Sequence, residues 1–242
     1  MKKILAVLLC APLFSWAAEG GYPLDHSPHK ATDLVSLQAG ARTYANYCLG
    51  CHGLQFMRYS KLEDLGLTAD QVRDNLMFTA DKVGEPIRST FDPKAAKAWF
   101  GVAPPDLSVI ARARGADWLY TYLRTFYRDE KTATGWNNAV FPNVGMPHAL
   151  WTLQGERGLK EEEGKGEGHG GEPKRVWVQL TPGLQSAPEY DATVRDLVNF
   201  LVYAGEPAAV SRQSIGIIAL FVLGVLFIFA YLLKLNYWKD VK

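Results

Sequence analysis

The sequence predicts a mainly α-helical domain with loop insertions, followed by one transmembrane helix near the C-terminus. Apolar residues recur at three- and four-residue spacing in four separate segments, which is typical of helices that bury one face. A run of 19 uncharged residues at 215–233 would span about 28 Å as a helix, close to the ~30 Å hydrocarbon core of a bilayer. The chain has only three cysteines, and two of them lie in Cys48-Leu49-Gly50-Cys51-His52.

That pentad has the spacing that attaches a c-type haem. Cys48 and Cys51 could each form a thioether with one porphyrin vinyl group, and His52 would supply an axial imidazole. A zinc half-site would need a second Cys/His pair nearby, and a redox dithiol has no need of the adjacent histidine. We therefore predict a c-type cytochrome domain that carries one covalent haem c.

The N-terminus has the pattern of a secretory signal peptide. A short basic start precedes an apolar run at 4–14 that is too short to cross a bilayer, and Ser15 and Ala17 have the small side chains of a cleavage site. We predict a signal peptide at 1–17, with cleavage one residue later as the alternative. Cys10 is then removed with the signal.

The charges around the C-terminal apolar run predict its orientation. Three lysines lie from position 234 onward, whereas a single arginine flanks the other side. Because cytoplasmic segments are enriched in basic residues, the tail is expected in the cytoplasm. We predict a periplasmic domain at 18–213, a transmembrane helix at 214–234 in a bacterial inner membrane, and a cytoplasmic tail at 235–242.

The predicted periplasmic domain is mildly acidic. It holds 21 basic and 24 acidic side chains, a net formal charge of −3. A nucleic-acid-binding protein would need a basic face, so this partner class is excluded. A basic protein partner fits the charge better.

Apolar stripes place the four helices of this domain. They are expected at 33–47, 68–77, 116–127 and 189–203. Thr68 is suited to cap the second helix, and Gly205 with the following Glu-Pro ends the last. Gly40 would let another helix approach closely beside Tyr44.

One segment is rich in glycine and glutamate. The composition of 155–171 predicts a solvated, mobile loop, because it offers almost no apolar side chain to a core. We interpret this loop as an exposed insertion, with an acidic docking element for a basic partner as the alternative. The alternation at 176–180 predicts a short strand after it.

Four side chains compete for the second axial position of the haem. Met57 follows His52 too closely to reach over the ring, and Met77 lies in a helical pattern where methionine usually fills a core. Met146 and His148 lie in an irregular stretch bounded by proline and glycine, which could cross the opposite haem face. We favour Met146, with His148 as the alternative.

A second stretch bears on the haem. Pro104 and Pro105 begin the sequence Pro-Pro-Asp-Leu-Ser and force an extended segment that could run along a haem edge. Arg112 and Arg114 follow, and either guanidinium could pair with a propionate. Two solvated arginines are an equally supported interpretation of the residues alone.

Together these segments closely resemble the cytochrome c1 family, which provides the haem subunit of the cytochrome bc1 complex. The matching stretches are 37–44, the Cys-x-x-Cys-His motif, 57–59, 103–108, 111–115, 145–147, 204–207 and the C-terminal anchor. The Cys-x-x-Cys-His motif alone would identify only a c-type cytochrome. The Pro-Pro-Asp-Leu-Ser and Arg-x-Arg stretches, with the anchor, indicate this family.

The resemblance implies a role for each candidate side chain. Cys48 and Cys51 would be the thioether sites, His52 the proximal ligand and Met146 the distal ligand. It also favours Arg114 over Arg112 as the propionate partner and places Trp118 near the haem, with Pro105 among the haem-binding residues.

The resemblance further implies electron relay without independent catalysis. A Rieske iron–sulfur protein would deliver electrons to the haem, and a soluble or membrane-bound c-type cytochrome would accept them. The chain would thus be a redox subunit of quinol–cytochrome c reductase (respiratory complex III), assembled with cytochrome b in a dimeric complex. Two other hypotheses remain: an independent membrane-anchored electron shuttle and a haem enzyme such as a peroxidase.

Overall fold

Helices predominate in the computed structural model, which describes residues 21–164 and 171–240. The helices are α1 (Leu34–Tyr47), a 3-10 helix (Tyr59–Leu65), α2 (Ala69–Asn75), α3 (Pro93–Phe100), α4 (Ile110–Arg114), α5 (Ala116–Arg124), α6 (Trp151–Gln154), α7 (Ala187–Gly205) and α8 (Ala209–Trp238). The strands are β1 (Leu54–Arg58), β2 (Pro86–Ile87), β3 (Phe126–Arg128), β4 (Trp136–Asn138), β5 (Arg157–Gly164) and β6 (Gly171–Gln179). Consecutive strands form antiparallel pairs, and the predicted mainly α class is confirmed.

The centre of the extramembrane part is the contact between α1 and α7. A Cβ atom built on Gly40 would lie 2.0 Å from the carbonyl oxygen of Asp196 and 2.7 Å from Cβ of Phe200. Only glycine therefore allows the two helices to lie so close. One turn later the rings of Tyr44 and Phe200 contact each other with centroids 5.6 Å apart. The predicted close approach is confirmed, and it fixes the end of α1 that leads to Cys48.

Side-chain caps determine where the helices begin. Asp33 accepts a hydrogen bond from the backbone of Ser36 at 3.1 Å, and Thr68 forms a reciprocal capping box with Gln71. The predicted helices at 33–47 and 68–77 are confirmed to within two residues. The last helix begins at 187, two residues earlier than expected, because proline is tolerated in the first turn.

The predicted helix at 116–127 is too long. Helix α5 ends at Arg124, and the chain continues as strand β3, whose Phe126 pairs with Asn138 of β4. The side-chain amide of Asn138 donates to the carbonyl oxygen of Tyr122 at 2.8 Å. A longer helix would pair this carbonyl oxygen with a backbone N–H of the next turn, and the Asn138 amide takes the place of that donor.

The prediction of a loop at 155–171 is wrong for most of its described length. Strands β5 and β6 pair in an antiparallel hairpin from Arg157 opposite Gln179 to Gly164 opposite Gly171. The strand predicted at 176–180 is thus the end of a longer one. The amino-acid composition does not predict this hairpin, because the paired strands exchange backbone hydrogen bonds whatever the polarity of their side chains. Residues 165–170 lie outside the described residues.

Helix α8 is the candidate membrane anchor. It has 30 residues and is long and apolar enough to cross a bilayer, and none of its described side chains is buried. It extends beyond the predicted span of 214–234 at both ends, which a tilted helix with interfacial ends would accommodate. The predicted signal peptide at 1–17, with Cys10, lies outside the described residues, as do residues 241 and 242 of the predicted tail.

Candidate haem site

The Cys-x-x-Cys-His pentad forms a tight turn directly after α1. The backbone nitrogens of Cys51 and His52 both donate to the carbonyl oxygen of Cys48, at 3.0 and 2.8 Å. Cys48 is buried, Cys51 is exposed, and both are free thiols. The turn therefore presents two unpaired sulfur atoms, one imidazole and no disulfide between them.

Burial keeps both thiols protonated. It raises the pKa of Cys48 to about 12, with a smaller contribution from neighbouring Cys51, whose own pKa burial also raises. A redox dithiol needs an accessible thiolate, so this environment does not favour that use. The described residues also hold no cluster of three or more His, Cys, Asp or Glu side chains that would bind a metal ion.

The imidazole of His52 is oriented by a backbone carbonyl. Its Nδ1 lies 2.7 Å from the carbonyl oxygen of Pro105, which accepts the Nδ1 hydrogen. This bond fixes the tautomer that leaves the Nε2 lone pair for a metal. Burial lowers the pKa of His52, partly offset by the bond to Pro105, which favours the neutral ring that binds iron. On the other side, Tyr44 donates its hydroxyl to the carbonyl oxygen of His52 at 2.7 Å.

Asp106 holds the chain after His52 against the Pro-Pro-Asp-Leu-Ser segment. Its carboxylate accepts backbone hydrogen bonds from Gln55 and Ser108, both at 2.9 Å, and a third bond from the Ser108 hydroxyl. The oxygen of that hydroxyl in turn accepts a hydrogen bond from the backbone N–H of Phe56 at 3.1 Å. Sequence reasoning missed Asp106, although an Asp-x-Ser sequence after proline is a recognisable turn signal.

In the second candidate segment, Met146 lies against a buried tyrosine. The hydroxyl of Tyr122 donates to Sδ of Met146 at 3.4 Å. The Tyr122 ring stacks on Trp118 with centroids 4.7 Å apart and meets Phe126 edge-on at 5.0 Å. Burial raises the pKa of Tyr122, so its hydroxyl remains a donor. Met146 itself is half-buried.

His148 belongs to the core. Its ring is 2 % exposed and stacks on Phe126 with centroids 4.8 Å apart. Its Nε2 lies 2.8 Å from Oε1 of Gln154, and burial lowers its pKa to about 4. One face and one nitrogen of this imidazole are thus engaged by protein groups, and the ring is buried. Met57 is equally buried in β1, and Met77 packs against the core after α2.

The two candidate arginines have different neighbours. The guanidinium of Arg114 lies over Trp118 at 5.2 Å and over Phe141 at 5.8 Å from the ring centroids. The stem of Arg112 instead packs beside Gly205 at the end of α7. Arg114 therefore shares an aromatic cluster with the tyrosine that contacts Met146, whereas Arg112 does not.

The candidate residues form two groups. The Cys-His side comprises residues 48–58 and 104–108 and contains both thiols, His52 and Pro105. The methionine side comprises 114–126 and 141–154 and contains Arg114, Trp118 and Met146. Two thiols, an imidazole with a free Nε2 and a thioether are the donor set that a covalently attached, six-coordinate haem requires, so these residues fit the group.

Comparison with known proteins decides the family. The model of the Cytochrome C1 family matches residues 25–157 and 183–241. This chain belongs to the cytochrome c1 family. It is 48% identical to cytochrome c1 of Allochromatium vinosum, over 99% of each chain, and 29% identical to cytochrome c1 of Rhodospirillum rubrum, over 87% of this chain and 83% of that one. It is also 46% identical to the ammonia monooxygenase gamma subunit of Nitrosomonas europaea, over 100% of this chain and 98% of that one.

Cytochrome c1 is the haem-carrying electron-transfer subunit of the bc1 complex, and the match to its family covers the whole candidate site. The unmatched segment, 158–182, contains almost all of the β5–β6 hairpin. The Allochromatium and Nitrosomonas relatives align over nearly their full lengths, so they have a counterpart of this segment. The hairpin therefore lies almost wholly outside the stretches that the family model matches.

Proposed function

We propose that this cytochrome c1 passes electrons from a Rieske iron–sulfur protein, through one covalently bound haem c, to a c-type cytochrome. The observation that carries the proposal is the hydrogen bond from Nδ1 of His52 to Pro105, beside two free thiols. This arrangement leaves one imidazole nitrogen for iron at the only sequence position where two thioethers could also form. Family membership supports the place of the subunit in a ubiquinol–cytochrome c oxidoreductase.

Each ligand has its own task. Cys48 and Cys51 would hold the porphyrin by thioether bonds, His52 would be the proximal ligand, and Met146 would be the distal ligand. The haem, when bound, supplies one-electron redox chemistry at its iron. A thioether ligand from Met146 would raise the electron affinity of that site, because it favours the ferrous state.

The aromatic cluster of the methionine side supports the remaining assignments. Trp118 would pack against the haem, and Arg114, already oriented by the faces of Trp118 and Phe141, would pair with a propionate. Arg112 is the alternative partner of a propionate. Pro105 would fix the plane of the proximal imidazole through its carbonyl oxygen.

The topology follows from the sequence and the length of α8. We infer that a signal peptide at 1–17 is removed, that 18–213 is a periplasmic domain, and that 214–234 crosses the bacterial inner membrane with its C-terminus in the cytoplasm. Cytochrome b is the expected neighbour of this helix in the bilayer, within a dimeric complex. The mildly acidic domain suits a basic electron acceptor.

The contact between Tyr122 and Met146 also separates this function from that of a haem peroxidase. A peroxidase needs an open or displaceable sixth coordination site on the iron. A methionine sulfur that is held by a buried tyrosine is instead suited to permanent ligation. An independent electron shuttle would share this ligand set but would not assemble with cytochrome b.

Purification from native membranes tests the proposal. The detergent-solubilised chain is expected to keep its haem on a denaturing gel, to co-purify with cytochrome b, and to support quinol-dependent reduction of a c-type cytochrome. A double variant, Cys48→Ser with Cys51→Ser, is the control for covalent attachment, because no thioether can form and the gel should show no haem. A haem-containing chain that purifies alone, without quinol-dependent activity, would favour the independent shuttle.

Truncation after Arg212 tests the anchor. The site residues lie before this point, so the shortened chain is expected to be soluble and to keep the haem spectrum of the full chain. Its quinol–cytochrome c reductase activity should be lost, because α8 is the segment that would contact cytochrome b. If the truncated chain stays in the membrane fraction after a salt wash, another segment anchors it.

A further inference from the structure

The hydroxyl of Tyr122 is aimed at the sulfur of Met146 by a rigid surrounding. The Oη–Sδ distance is 3.4 Å, within the range for a hydrogen bond to sulfur. The ring is buried, stacked on Trp118 at an interplanar angle of 12° and packed edge-on against Phe126. Because two aromatic neighbours fix the ring, the direction of the O–H group does not depend on a flexible side chain.

Neighbouring tyrosines show that this contact depends on position in the fold. Tyr120 lies on the same helix, but its ring faces the guanidinium of Arg124 at 4.4 Å. Tyr190 is more deeply buried, and it donates its hydroxyl to the carbonyl oxygen of Leu123 at 2.8 Å. Of these three tyrosines, Tyr122 is the one that donates to the thioether.

We propose that Tyr122 is a positioning residue that sets the redox potential of the haem through Met146. This inference rests on the proposed assignment of Met146 as the distal ligand. A thioether sulfur has two lone pairs, so one can bind iron while the other accepts the O–H of Tyr122. The hydrogen bond directs the first lone pair and draws electron density away from the sulfur.

The sign of the effect follows from that polarisation. Ferric iron carries the higher charge and depends more on electron donation from the sulfur than ferrous iron does. A sulfur atom that shares density with a proton therefore stabilises the ferric state less, and the midpoint potential rises. Removing the Tyr122 hydroxyl should lower the potential without removing the ligand.

The test compares Tyr122→Phe with Tyr190→Phe in the complete membrane complex. Both substitutions keep a buried ring and remove one hydroxyl hydrogen bond, but only the first removes a bond to the sulfur. In an optical redox titration, Tyr122→Phe should raise the ferric-to-ferrous ratio at a fixed potential about threefold. For a one-electron couple this is a fall of about 30 mV in midpoint potential.

The absorption spectrum distinguishes this inference from the ligand assignment. Tyr122→Phe should keep the far-red charge-transfer band from thioether sulfur to ferric iron, and Tyr190→Phe should keep both band and potential. An unchanged potential in Tyr122→Phe, or equal shifts in both variants, would overturn the role of Tyr122. Absence of the band from the unsubstituted protein would instead refute Met146 as a ligand.

A second measurement tests the proposal if the Tyr122→Phe variant does not assemble into the complex. The otherwise unsubstituted protein can be produced with 3-fluorotyrosine at position 122 alone, which leaves the hydroxyls of Tyr44 and Tyr190 unchanged. A fluorinated phenol is more acidic and donates a stronger hydrogen bond, so the potential should rise. An unchanged or lower potential would overturn the proposal.

Discussion

The Cys-His side and the methionine side of this site are held by different kinds of interaction. On the Cys-His side, backbone groups and short polar side chains of two segments make the bonds, as Asp106 does for Ser108, two residues later, and for Gln55, 51 residues earlier. On the methionine side, aromatic rings from α5, β3 and the stretch after β4 pack together, and one side-chain hydroxyl reaches Met146. The first side is therefore held mainly by polar bonds between two chain segments and the second mainly by packing of aromatic rings.

This difference has an energetic consequence. A buried polar group that loses its hydrogen-bond partner costs about 1–3 kcal/mol, and Ser108 has two such groups bonded to Asp106, so removal of this one carboxylate should destabilise the Cys-His side markedly. Stacked rings contribute about 0.5–1.5 kcal/mol per pair, and the stabilisation of the methionine side is divided among several such pairs. Removal of one ring contact should therefore destabilise the methionine side only slightly, and haem should stay attached through the Cys-His side.

The largest effect is expected from Asp106→Ala. The change leaves the backbone nitrogens of Gln55 and Ser108 and the Ser108 hydroxyl without their acceptor. We expect a loss of about 3 kcal/mol in the free energy of unfolding, measured by urea denaturation followed by circular dichroism. Asp106→Asn keeps one acceptor oxygen and should lose less. Equal, small losses of stability in both variants would contradict the role of Asp106 in joining the two segments of the Cys-His side.

A smaller effect, confined to the methionine side, is expected from Gln154→Ala. The change leaves Nε2 of buried His148 without its partner at 2.8 Å and should cost about 1–2 kcal/mol. In denaturant titrations of the ferric protein, the far-red thioether band should disappear at a lower urea concentration while the haem stays attached. Gln185→Ala removes a glutamine bonded to Thr193 instead and should leave the band unchanged. If both variants lose the band together, His148 does not support the Met146 loop.

The smallest effect separates the two arginines. Arg114→Lys replaces a planar guanidinium that lies over Trp118 and Phe141, and it should cost about 1 kcal/mol and shift the visible haem spectrum. Arg112→Lys alters a side chain at the end of α7 and should leave the spectrum unchanged. Equal spectra and equal stabilities of the two variants would remove the reason for preferring Arg114.

The separation of interacting residues along the chain explains what could be predicted from the sequence, and the partners of Asp106 and of Met146 both lie too far away. The haem motif at Cys48 could be recognised because all of its residues lie within five positions, and the cap at Thr68 could be predicted because its partner is three residues away. The partner of Met146 could not be predicted, because Tyr122 lies 24 residues earlier and nothing local links them. His148 could not be set aside as a ligand from the sequence either, because the burial of its side chain is visible only in the folded chain.

Two errors in the fold have one physical origin. The overlong helix at 116–127 and the loop at 155–171 both conceal strands whose partners lie elsewhere in the sequence. Strand pairing satisfies the backbone of Phe126–Arg128 and of the glycine-rich Arg157–Gly164, so it overrides the local preferences of their side chains. Helix α7 was predicted well because its apolar stripe and its stop signal are both local.

The most direct test of this account is a redox titration and absorption spectrum of Met146→Leu beside Met77→Leu. The Cys-His side is held by its own bonds, so haem should remain covalently attached in both variants. Met146→Leu should lose the far-red thioether band, and its midpoint potential should fall by on the order of a few hundred millivolts, because axial ligands set haem potentials over roughly 0.8 V. Met77→Leu should match the unsubstituted protein. Retention of both the band and the potential in Met146→Leu, with their loss in Met77→Leu, would contradict the assignment of the distal ligand.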